Sequence, residues 1–165
     1  MERHKEKIKF NDRNAYWLAG FVDVEGCFSI SFNRRPGMVC GIEVRPSFSV
    51  SQKAHSYEVL EGIQDYLGCG GIRFSKGDGT YKFEVRSLAK LRDSVIPFFS
   101  TYKLLTNKKN DFEIFRKVCD LVAEGQHLNV DGLVKIIELS YPMNGSGKRK
   151  YSKEELLRSL NKLKL

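Results

Sequence analysis

Large apolar residues alternate with polar ones in four short segments of the chain, and this period of two predicts β-strands. The segments are 27–33, 42–51, 71–76 and 80–86. Asp78-Gly79 stands between the last two segments and is typical of a hairpin turn. Pro46 offers no donor to a strand ladder, so it predicts that the second strand lies at a sheet edge or contains a bulge. The residues predicted to face the core are Phe28, Ile30, Phe32, Ile42, Val44, Phe48, Val50, Phe83 and Val85.

Apolar residues three or four positions apart predict helices before, between and after these strands. The predicted helices are 11–26, 55–67, 87–99, 106–124, 129–141 and one that follows Ser152. Asn11 or Asp12 can cap the first helix, and Gly68 is well placed to end the second. Ser152 and Glu155 form a capping box for the last helix. The order αββαββα followed by three more helices predicts an α+β fold with one four-stranded antiparallel sheet.

Length and charge narrow the range of partners. The 165 residues predict a single domain over 1–165, with an N-terminal arm at 1–10 and a basic loop at 144–151. Lys and Arg number 28 against 20 Asp and Glu, so the net charge is +8 and a polyanion is the first candidate partner. No apolar run is long enough to span a membrane, and the charged arm is not typical of a secretory signal.

The cysteines bear on the compartment. They lie far apart in sequence and form no Cys-x-x-Cys motif, which argues against a disulfide framework and against a structural zinc site. This spacing predicts thiols in a reducing compartment, and hence an intracellular protein of a bacterial or archaeal cytoplasm or of an organelle. The four residues are Cys27, Cys40, Cys69 and Cys119.

The polar positions of the predicted strands share the face opposite the core. Arg and Lys pair with guanine, Asn with adenine and Glu with cytosine, and a β-ribbon fits a major groove, so this face is a candidate DNA reader. A merely solvated face would also be rich in Ser and charge. The loop residues Lys148, Arg149 and Lys150 are candidates for phosphate contacts or, again, a solvated loop. The candidate strand residues are Ser29, Ser31, Asn33, Arg35, Glu43, Arg45, Ser47, Ser49, Arg73, Ser75, Lys82, Glu84 and Arg86.

The first helix carries two features that need a reason. Gly20 inside a helix costs about 0.5–1 kcal/mol relative to Ala, which close approach of another backbone would offset. Asp23 and Glu25 lie at the helix C-terminus, where the dipole disfavours negative charge. A divalent cation bound to carboxylate and carbonyl oxygens would make this arrangement favourable. An exposed acidic pair without a ligand is the alternative.

The stretch Leu18-Ala19-Gly20-Phe21-Val22-Asp23-Val24-Glu25-Gly26, followed at once by a strand, resembles the signature of the LAGLIDADG homing endonucleases. Further segments similar to that family are 50–53, 67–71 and 106–112. The resemblance therefore covers most of the chain. It implies an αββαββα core whose four-stranded sheet forms a DNA-binding saddle, with additional C-terminal helices.

The resemblance also implies roles for individual residues. Glu25 matches the essential metal ligand of the family, and the backbone carbonyl of Val24 is expected to help in coordination. Gln52 matches a polar residue that orients solvent or metal ligands near the scissile phosphate. Lys108, or Lys109 one position further on, matches a basic residue near the cleaved strand. The implied catalytic set is therefore Glu25, Gln52 and Lys108.

The resemblance further implies an assembly of two chains. The signature helix is expected to pack against its twin, with Trp17, Gly20 and Val24 at the dimer interface. Val24 is larger than the Gly or Ala usual at that position, so it is expected to adjust the crossing. Asp23 is expected to be structural. Because one signature is present, the resemblance implies a homodimer that reads a long, nearly palindromic DNA site.

The implied function is a site-specific double-strand DNA endonuclease, encoded by an intron, that leaves 3′ overhangs. The implied cofactor is Mg²⁺, with Mn²⁺ as a substitute and Ca²⁺ as an ion that supports binding without cleavage. The implied partners are duplex DNA and a second copy of the chain, with neither a membrane nor a small-molecule substrate. Alternatives are an RNA maturase, a non-cleaving DNA-binding relative, and a protein scaffold. The intact carboxylate of Glu25 favours the nuclease.

Overall fold

The structure of the protein is a computed structural model that describes residues 8–145 and 147–161. Most of the predicted N-terminal arm (1–7), together with Ser146 of the predicted basic loop, lies outside the described residues. The strands are β1 (Gly26–Arg34), β2 (Ile42–Gln52), β3 (Gly71–Ser75) and β4 (Thr80–Val85). The α-helices are α1 (Ala15–Glu25), α2 (Tyr57–Leu67), α3 (Leu88–Lys90), α4 (Ile96–Thr101), α5 (Lys108–Ala123), α6 (Val130–Ser140) and α7 (Lys153–Asn161).

The strands form one sheet in the order β1-β2-β4-β3, which confirms the predicted α+β fold class and the predicted element order. β4 pairs antiparallel with β2 on one side and with β3 on the other. All nine residues predicted to face the core are buried. None of the helices in the described ranges is long and apolar enough to cross a bilayer.

Backbone contacts divide the chain into two compact units, so the prediction of a single domain stays a prediction. One unit comprises the residues up to Cys27 together with Phe48–Lys109, and the other comprises Phe28–Ser47 with the residues from Asn110 on. In the first unit, Phe48 packs against the rings of Phe83 and Phe99 at centroid distances of 6.2 and 5.4 Å. All three rings are essentially buried, so they form the centre of this unit's core.

The second unit has a core of its own. Phe28 lies between Phe112 and Phe115 of α5, with both pairs of ring centroids 5.3 Å apart. The predicted capping box is confirmed at the start of α7, where the Ser152 amide donates to Glu155 Oε2 at 2.7 Å and the Glu155 amide donates to Ser152 Oγ at 3.1 Å. This cap satisfies two amides that the helix itself leaves without acceptors.

The first helix begins later than the prediction of 11–26. Asn11 and Asp12 do not cap it, because the Asn11 side chain accepts from the Arg13 amide and closes a turn instead. Asn14 takes the N-cap position, and α1 runs from Ala15 to Glu25. Such side-chain-to-backbone bonds compete with helix formation. The helix therefore does not begin at Asn11 or Asp12, although both residue types are common helix caps.

The prediction that Pro46 marks an edge strand is wrong, whereas the alternative of a bulge stays a prediction. β2 lies between β1 and β4 in the sheet, and Pro46 is buried within its continuous span from Ile42 to Gln52. The register with β4 runs from Phe48 to Gln52, so Pro46 lies outside that ladder and its missing donor costs no bond there.

The chain from 88 to 101 departs from a regular helix. Ser87 caps it as predicted, with its hydroxyl accepting from the Lys90 amide at 3.4 Å. Between α3 and α4, however, Leu91–Val95 is π-helical. Pro97 follows at the start of α4, where its absent N–H and its ring are tolerated. The sequence gives no periodic signal for such a widened turn.

Candidate functional site

The C-terminal end of α1 leads directly into β1, and this junction brings the candidate catalytic residues together. A Cβ at Gly26 would lie 2.5 Å from Val22 Cγ1 and 2.8 Å from the Val22 carbonyl oxygen, so only glycine fits the abrupt passage from helix to strand. The carboxylate of Glu25 is exposed beside it, and Gln52 at the end of β2 donates from Nε2 to Glu25 Oε2 at 3.3 Å. Two residues that are 27 positions apart thus meet at one site.

Lys108, the first residue of α5, reaches the same junction. Its ammonium donates to the carbonyl oxygen of Val24 at 3.2 Å and to that of Gly26. Both carbonyls lie at the end of α1, where the helix dipole attracts a cation. Of the two candidate lysines, the half-buried Lys108 is the one that reaches this junction, where it contacts the carbonyls on either side of Glu25.

Asp23 is buried and ties the end of α1 to the segment that precedes α5. Its carboxylate accepts from the amides of Leu105 and Thr106 at 2.8 and 2.9 Å and from the Thr106 hydroxyl at 2.6 Å. Burial alone would raise the pKa of Asp23, but these three donors and the nearby charge of Lys108 outweigh it and lower the pKa below its usual value. Asp23 therefore fixes the position from which Lys108 reaches the junction.

Replacing Asp23 by Asn is expected to lower the free energy of unfolding by about 2–3 kcal/mol at neutral pH, because three donors lose a charged acceptor. The lowered pKa means that the carboxylate contributes this stability above the pKa of an unfolded aspartate, about 3.9, and loses it as the pH falls through the lower folded value. Urea unfolding between neutral pH and about pH 3 should show the gap between wild type and variant shrinking towards acid. A gap that stays constant over this range would contradict the account.

The oxygens around the junction fit a hard divalent cation. Glu25 supplies an exposed carboxylate, and the Val24 carbonyl already accepts from a cationic group, the Lys108 ammonium. Mg²⁺ and Ca²⁺ take such carboxylate and carbonyl oxygens and fill their remaining positions with water or phosphate oxygens. In the part of the chain that the structure describes, no three acidic, His or Cys side chains gather into a metal site. A cation here would therefore need ligands from the substrate and from solvent.

One face of α1 is exposed and apolar. Tyr16, Trp17 and Val24 are 69%, 52% and 74% exposed, and a Cβ added at Gly20 would meet nothing within 4 Å. Trp17 also stacks on Phe21 at 5.2 Å, so its ring is held in place while half of its surface stays open. Nothing within the described chain explains a glycine at position 20.

The candidate DNA-reading residues of the second unit lie on the exposed side of β1, β2 and their connection. Ser31, Arg35 and Arg45 are exposed, and the other four are half-buried. Glu43 accepts from Arg35 at 2.6 Å and forms an ion pair with Arg45, whose Nε lies 2.9 Å from Glu43 Oε2. The half-buried residues are Ser29, Asn33, Glu43 and Ser47.

The candidate residues of the first unit lie on β2, β3 and β4. Arg73 and Arg86 are exposed, whereas Ser75, Lys82 and Glu84 are half-buried. Ser49 corrects the prediction of an exposed reader, because only 6% of it is accessible. It is opposite Glu84 in the register, and a short side chain between longer neighbours on a central strand is covered by them.

Arg149 also differs from its predicted role as a DNA contact. Its guanidinium donates to the carbonyl oxygens of Ile30, Ser140 and Met143 at 3.3, 2.5 and 3.2 Å. It also lies over the ring of Tyr141 at 4.5 Å from the centroid. These contacts tie its guanidinium to the backbone within the second unit. Its neighbours Lys148 and Lys150 are exposed and remain available for phosphate.

Replacing Arg149 by Met is expected to lower the free energy of unfolding by roughly 2 kcal/mol, since three partly buried carbonyls lose their donor. Lys148→Met, a matched change at an exposed position of the same loop, is expected to stay within about 0.5 kcal/mol of wild type. Urea unfolding of both variants measures the difference. Equal stabilities would show that Arg149 does not hold the loop.

Thr106 and Leu105 were missed by the sequence analysis although they carry the Asp23 contact. Thr106 was visible only as a helix start, and its hydroxyl does accept from the Lys108 amide at 3.2 Å. Leu105 is 90% exposed, which periodicity does not reveal for a residue between elements. The sequence pattern that could have indicated the Asp23 contact is the threonine that precedes the helix start at Lys108 by two residues.

Comparison with known proteins agrees with this site. The family model described as LAGLIDADG endonuclease matches residues 18–119, which include Asp23, Glu25, Gln52 and Lys108. The chain is 30% identical over 148 residues to the homing endonuclease I-ApeII of Aeropyrum pernix, with 86% of this chain and 87% of that protein covered. It spans only between 25% and 29% of the length of three fungal relatives from Neurospora crassa and Podospora anserina, to which it is 30–31% identical.

Two solved structures are similar over almost the whole chain. The archaeal intron-encoded homing endonuclease I-Vdi141I, complexed with DNA, superposes with a TM-score of 0.84 at 30% identity, covering 93% of this chain and 98% of that one. I-SmaMI, bound to an uncleaved DNA target in the presence of calcium ions, gives a TM-score of 0.81 at 30% identity and covers 93% of this chain and 49% of that one. The chain belongs to the LAGLIDADG endonuclease family.

Proposed function

We propose that the protein is a site-specific DNA endonuclease that hydrolyses both strands of a long target with the help of a divalent cation. The observation that carries this proposal is the meeting of Glu25, Gln52 and Lys108 at the junction of α1 and β1. A carboxylate, an amide and an ammonium at one exposed point suit phosphodiester hydrolysis, which needs charge neutralisation and a positioned water. A scaffold protein has no need of this combination.

Duplex DNA is the substrate that the charges favour. The chain carries a net charge of +8, and each unit has exposed Arg side chains on or beside its strands, with the half-buried Lys82 on β4. Phosphate contacts from Lys148 and Lys150 would fix the register, and the strand residues would read base edges. The DNA complexes of the similar structures I-Vdi141I and I-SmaMI support this assignment.

A second copy of the chain is the partner that we propose for the exposed face of α1. Small residues allow two helices to approach closely, and Gly20 has no neighbour of its own to make room for. I-SmaMI is about twice as long as the part of it that this chain matches, which is consistent with a site that uses two such domains. Two identical chains related by a two-fold axis would read a nearly palindromic site, one half-site each.

Glu25 and the Val24 carbonyl would hold the cation, which when bound supplies a Lewis acid that neutralises phosphate charge and activates water. Gln52 orients the Glu25 carboxylate through its amide N–H and keeps its carbonyl oxygen for a water. Lys108 brings a positive charge to the same point, where it would stabilise charge that develops on the cleaved phosphate. Asp23 positions Lys108 through Leu105 and Thr106.

Each chain would cut one strand with its own Glu25, and we propose that the products carry 3′ overhangs. Mg²⁺ is the cation proposed for cleavage, Mn²⁺ a substitute, and Ca²⁺ an ion that supports binding alone. The calcium-containing complex of I-SmaMI with an uncleaved target supports the last point. We also propose an intron as the coding context and a reducing compartment as the location, which the four thiols support.

Cleavage of a selected target tests the proposal. Duplexes would be enriched for binding in Ca²⁺ from a pool of inverted repeats whose half-site of about ten base pairs is randomised, close to one helical turn. A plasmid carrying the enriched sequence should be linearised on addition of Mg²⁺. Affinity should also fall steeply with salt, because phosphate contacts release counterions. Binding without any cut in Mg²⁺ or Mn²⁺ would overturn the nuclease and favour a non-cleaving DNA-binding protein.

A further inference from the structure

Glu84, at the centre of the polar side of β4, holds three cations at once. Its Oε2 lies 2.8 Å from Arg86 Nη2 and 3.4 Å from Arg73 Nη2, and its Oε1 lies 3.5 Å from Lys82 Nζ. Only 10% of the Glu84 side chain is accessible, whereas Arg73 and Arg86 are more than half exposed. The carboxylate is therefore surrounded by the groups that it holds, and those groups extend towards solvent.

A glutamate on a base-reading surface can accept from cytosine, but the position of Glu84 favours another role. A carboxylate that accepts from Arg73 and is paired with the charges of Arg86 and Lys82 has little accepting capacity left for a base. Each arginine uses only one nitrogen on Glu84, so the rest of its donor fork stays available for the N7 and O6 acceptors of guanine. Glu84 thus fixes the direction of the readers.

The local charges point the same way. Arg73 and Lys82 are direct partners in the β3–β4 register, a like-charge pair that would repel and spread apart without an anion beside it. Gly71 and Ser49, the register partners of Glu84, are small and leave space for its long side chain. One carboxylate among three cations also weakens the attraction of this patch for any phosphate, whatever the sequence.

We propose that Glu84 is a specificity-determining positioning residue: it orders Arg73, Lys82 and Arg86 for reading bases and suppresses sequence-independent binding of DNA. This inference rests on the proposed DNA-binding function and deepens it. Glu43 shows the same arrangement within the other unit, where it holds Arg35 and Arg45 at 2.6 and 2.9 Å. Each of the two carboxylates thus pairs with two exposed arginines of its own unit, and this repetition argues against a chance contact.

The test compares wild type with Glu84→Gln on two DNA probes in Ca²⁺. One probe is the duplex pool with randomised half-sites, before selection, and the other is the sequence that wild type enriches from it. The variant is expected to bind the unselected pool roughly three- to fivefold more tightly, because a negative charge near the phosphates is gone. Its preference for the enriched sequence should fall about tenfold or more, the discrimination of one base-edge contact.

A second variant separates the charge of Glu84 from its reach. Glu84→Asp keeps the negative charge but is one methylene shorter, so it cannot contact all three cations. Affinity for the unselected pool should then stay at the wild-type value while the preference for the enriched sequence falls. Glu138→Gln makes the same charge change at an exposed position of α6 and should change neither quantity.

The outcomes distinguish this inference from the proposed function. If wild type binds no duplex at all, both fail together. If wild type enriches a sequence and Glu84→Gln enriches the same one with unchanged preference, Glu84 is not a specificity determinant although the DNA-binding function stands. If Glu84→Gln weakens binding to both probes by one factor, Glu84 serves only the stability of the sheet, and the inference is overturned.

Discussion

Glu25→Gln should abolish cleavage while leaving DNA binding within about twofold of wild type in Ca²⁺. Glutamine has nearly the same shape, but its amide lacks the negative charge with which the carboxylate attracts and holds a divalent cation. Because the cation proposed at Glu25 would supply the activated water and the charge neutralisation, the rate of strand cutting in Mg²⁺ should fall by about a thousandfold or more. Single-turnover cleavage of the enriched duplex, measured beside a binding titration, gives both quantities.

Two controls belong to this prediction. Glu124→Gln makes the same chemical change at an exposed residue after α5 and should cut at the wild-type rate. Gln52→Leu removes the amide that donates to Glu25 at 3.3 Å and should slow cutting by about tenfold to a hundredfold, as expected for a group that orients a ligand. A Glu25→Gln protein that cuts normally would show that the junction of α1 and β1 is not the active site.

Gly20→Leu should leave each chain folded and prevent two chains from associating. A Cβ at position 20 meets nothing within 4 Å, so the chain itself has room for the larger side chain. Replacing glycine inside α1 should even stabilise the isolated chain, by about 0.5–1 kcal/mol. Between two closely crossing helices, however, each leucine would collide with the other backbone. The affinity between chains should fall by at least about thirtyfold, because overpacking costs about 1–3 kcal/mol for each of the two copies.

Analytical ultracentrifugation measures the affinity between the chains. Urea unfolding at protein concentrations below the dissociation constant measures the free energy of unfolding of the single chain. A smaller change, Gly20→Ala, should give an intermediate loss of association. Ala123→Leu, at the exposed end of α5, is the matched control and should alter neither measurement. If Gly20→Leu associates like wild type and still cuts both strands, α1 is not the surface on which two chains meet.

The sequence predicts the elements of this fold well wherever one residue type has a single structural meaning. Gly68 ends α2 with φ at +63°, and Ser152 with Glu155 begins α7. The alternation in β1 likewise identifies the buried side of the strand. The first residue of a helix and the position of an irregular helical turn are harder to predict. Several residues near Asn11 could cap a helix, and the π-helical turn before Pro97 depends on packing that periodicity does not encode.

The candidate site was predicted from resemblance more than from pattern. The nine-residue signature identified Glu25, and similar segments identified Gln52 and Lys108, which the structure brings to one junction. Two of the predicted DNA contacts rest on weaker grounds. Their exposure to solvent is inferred only from the alternation of residues along a strand or from the charge of a loop. Arg149 instead donates to three backbone carbonyls, and Ser49 is covered. Whether a polar side chain faces solvent depends on the length of its neighbours, which a single strand does not reveal.

The measurement that tests the whole account most directly uses a mixed dimer with only one intact Glu25. Wild type and Glu25→Gln chains carrying different affinity tags would be combined, and the doubly tagged species would be purified and added to a supercoiled plasmid bearing the enriched site. The account predicts a nicked circle, since each chain cuts one strand, whereas the wild-type dimer gives a linear product. A mixed dimer that linearises the plasmid at the wild-type rate would contradict it.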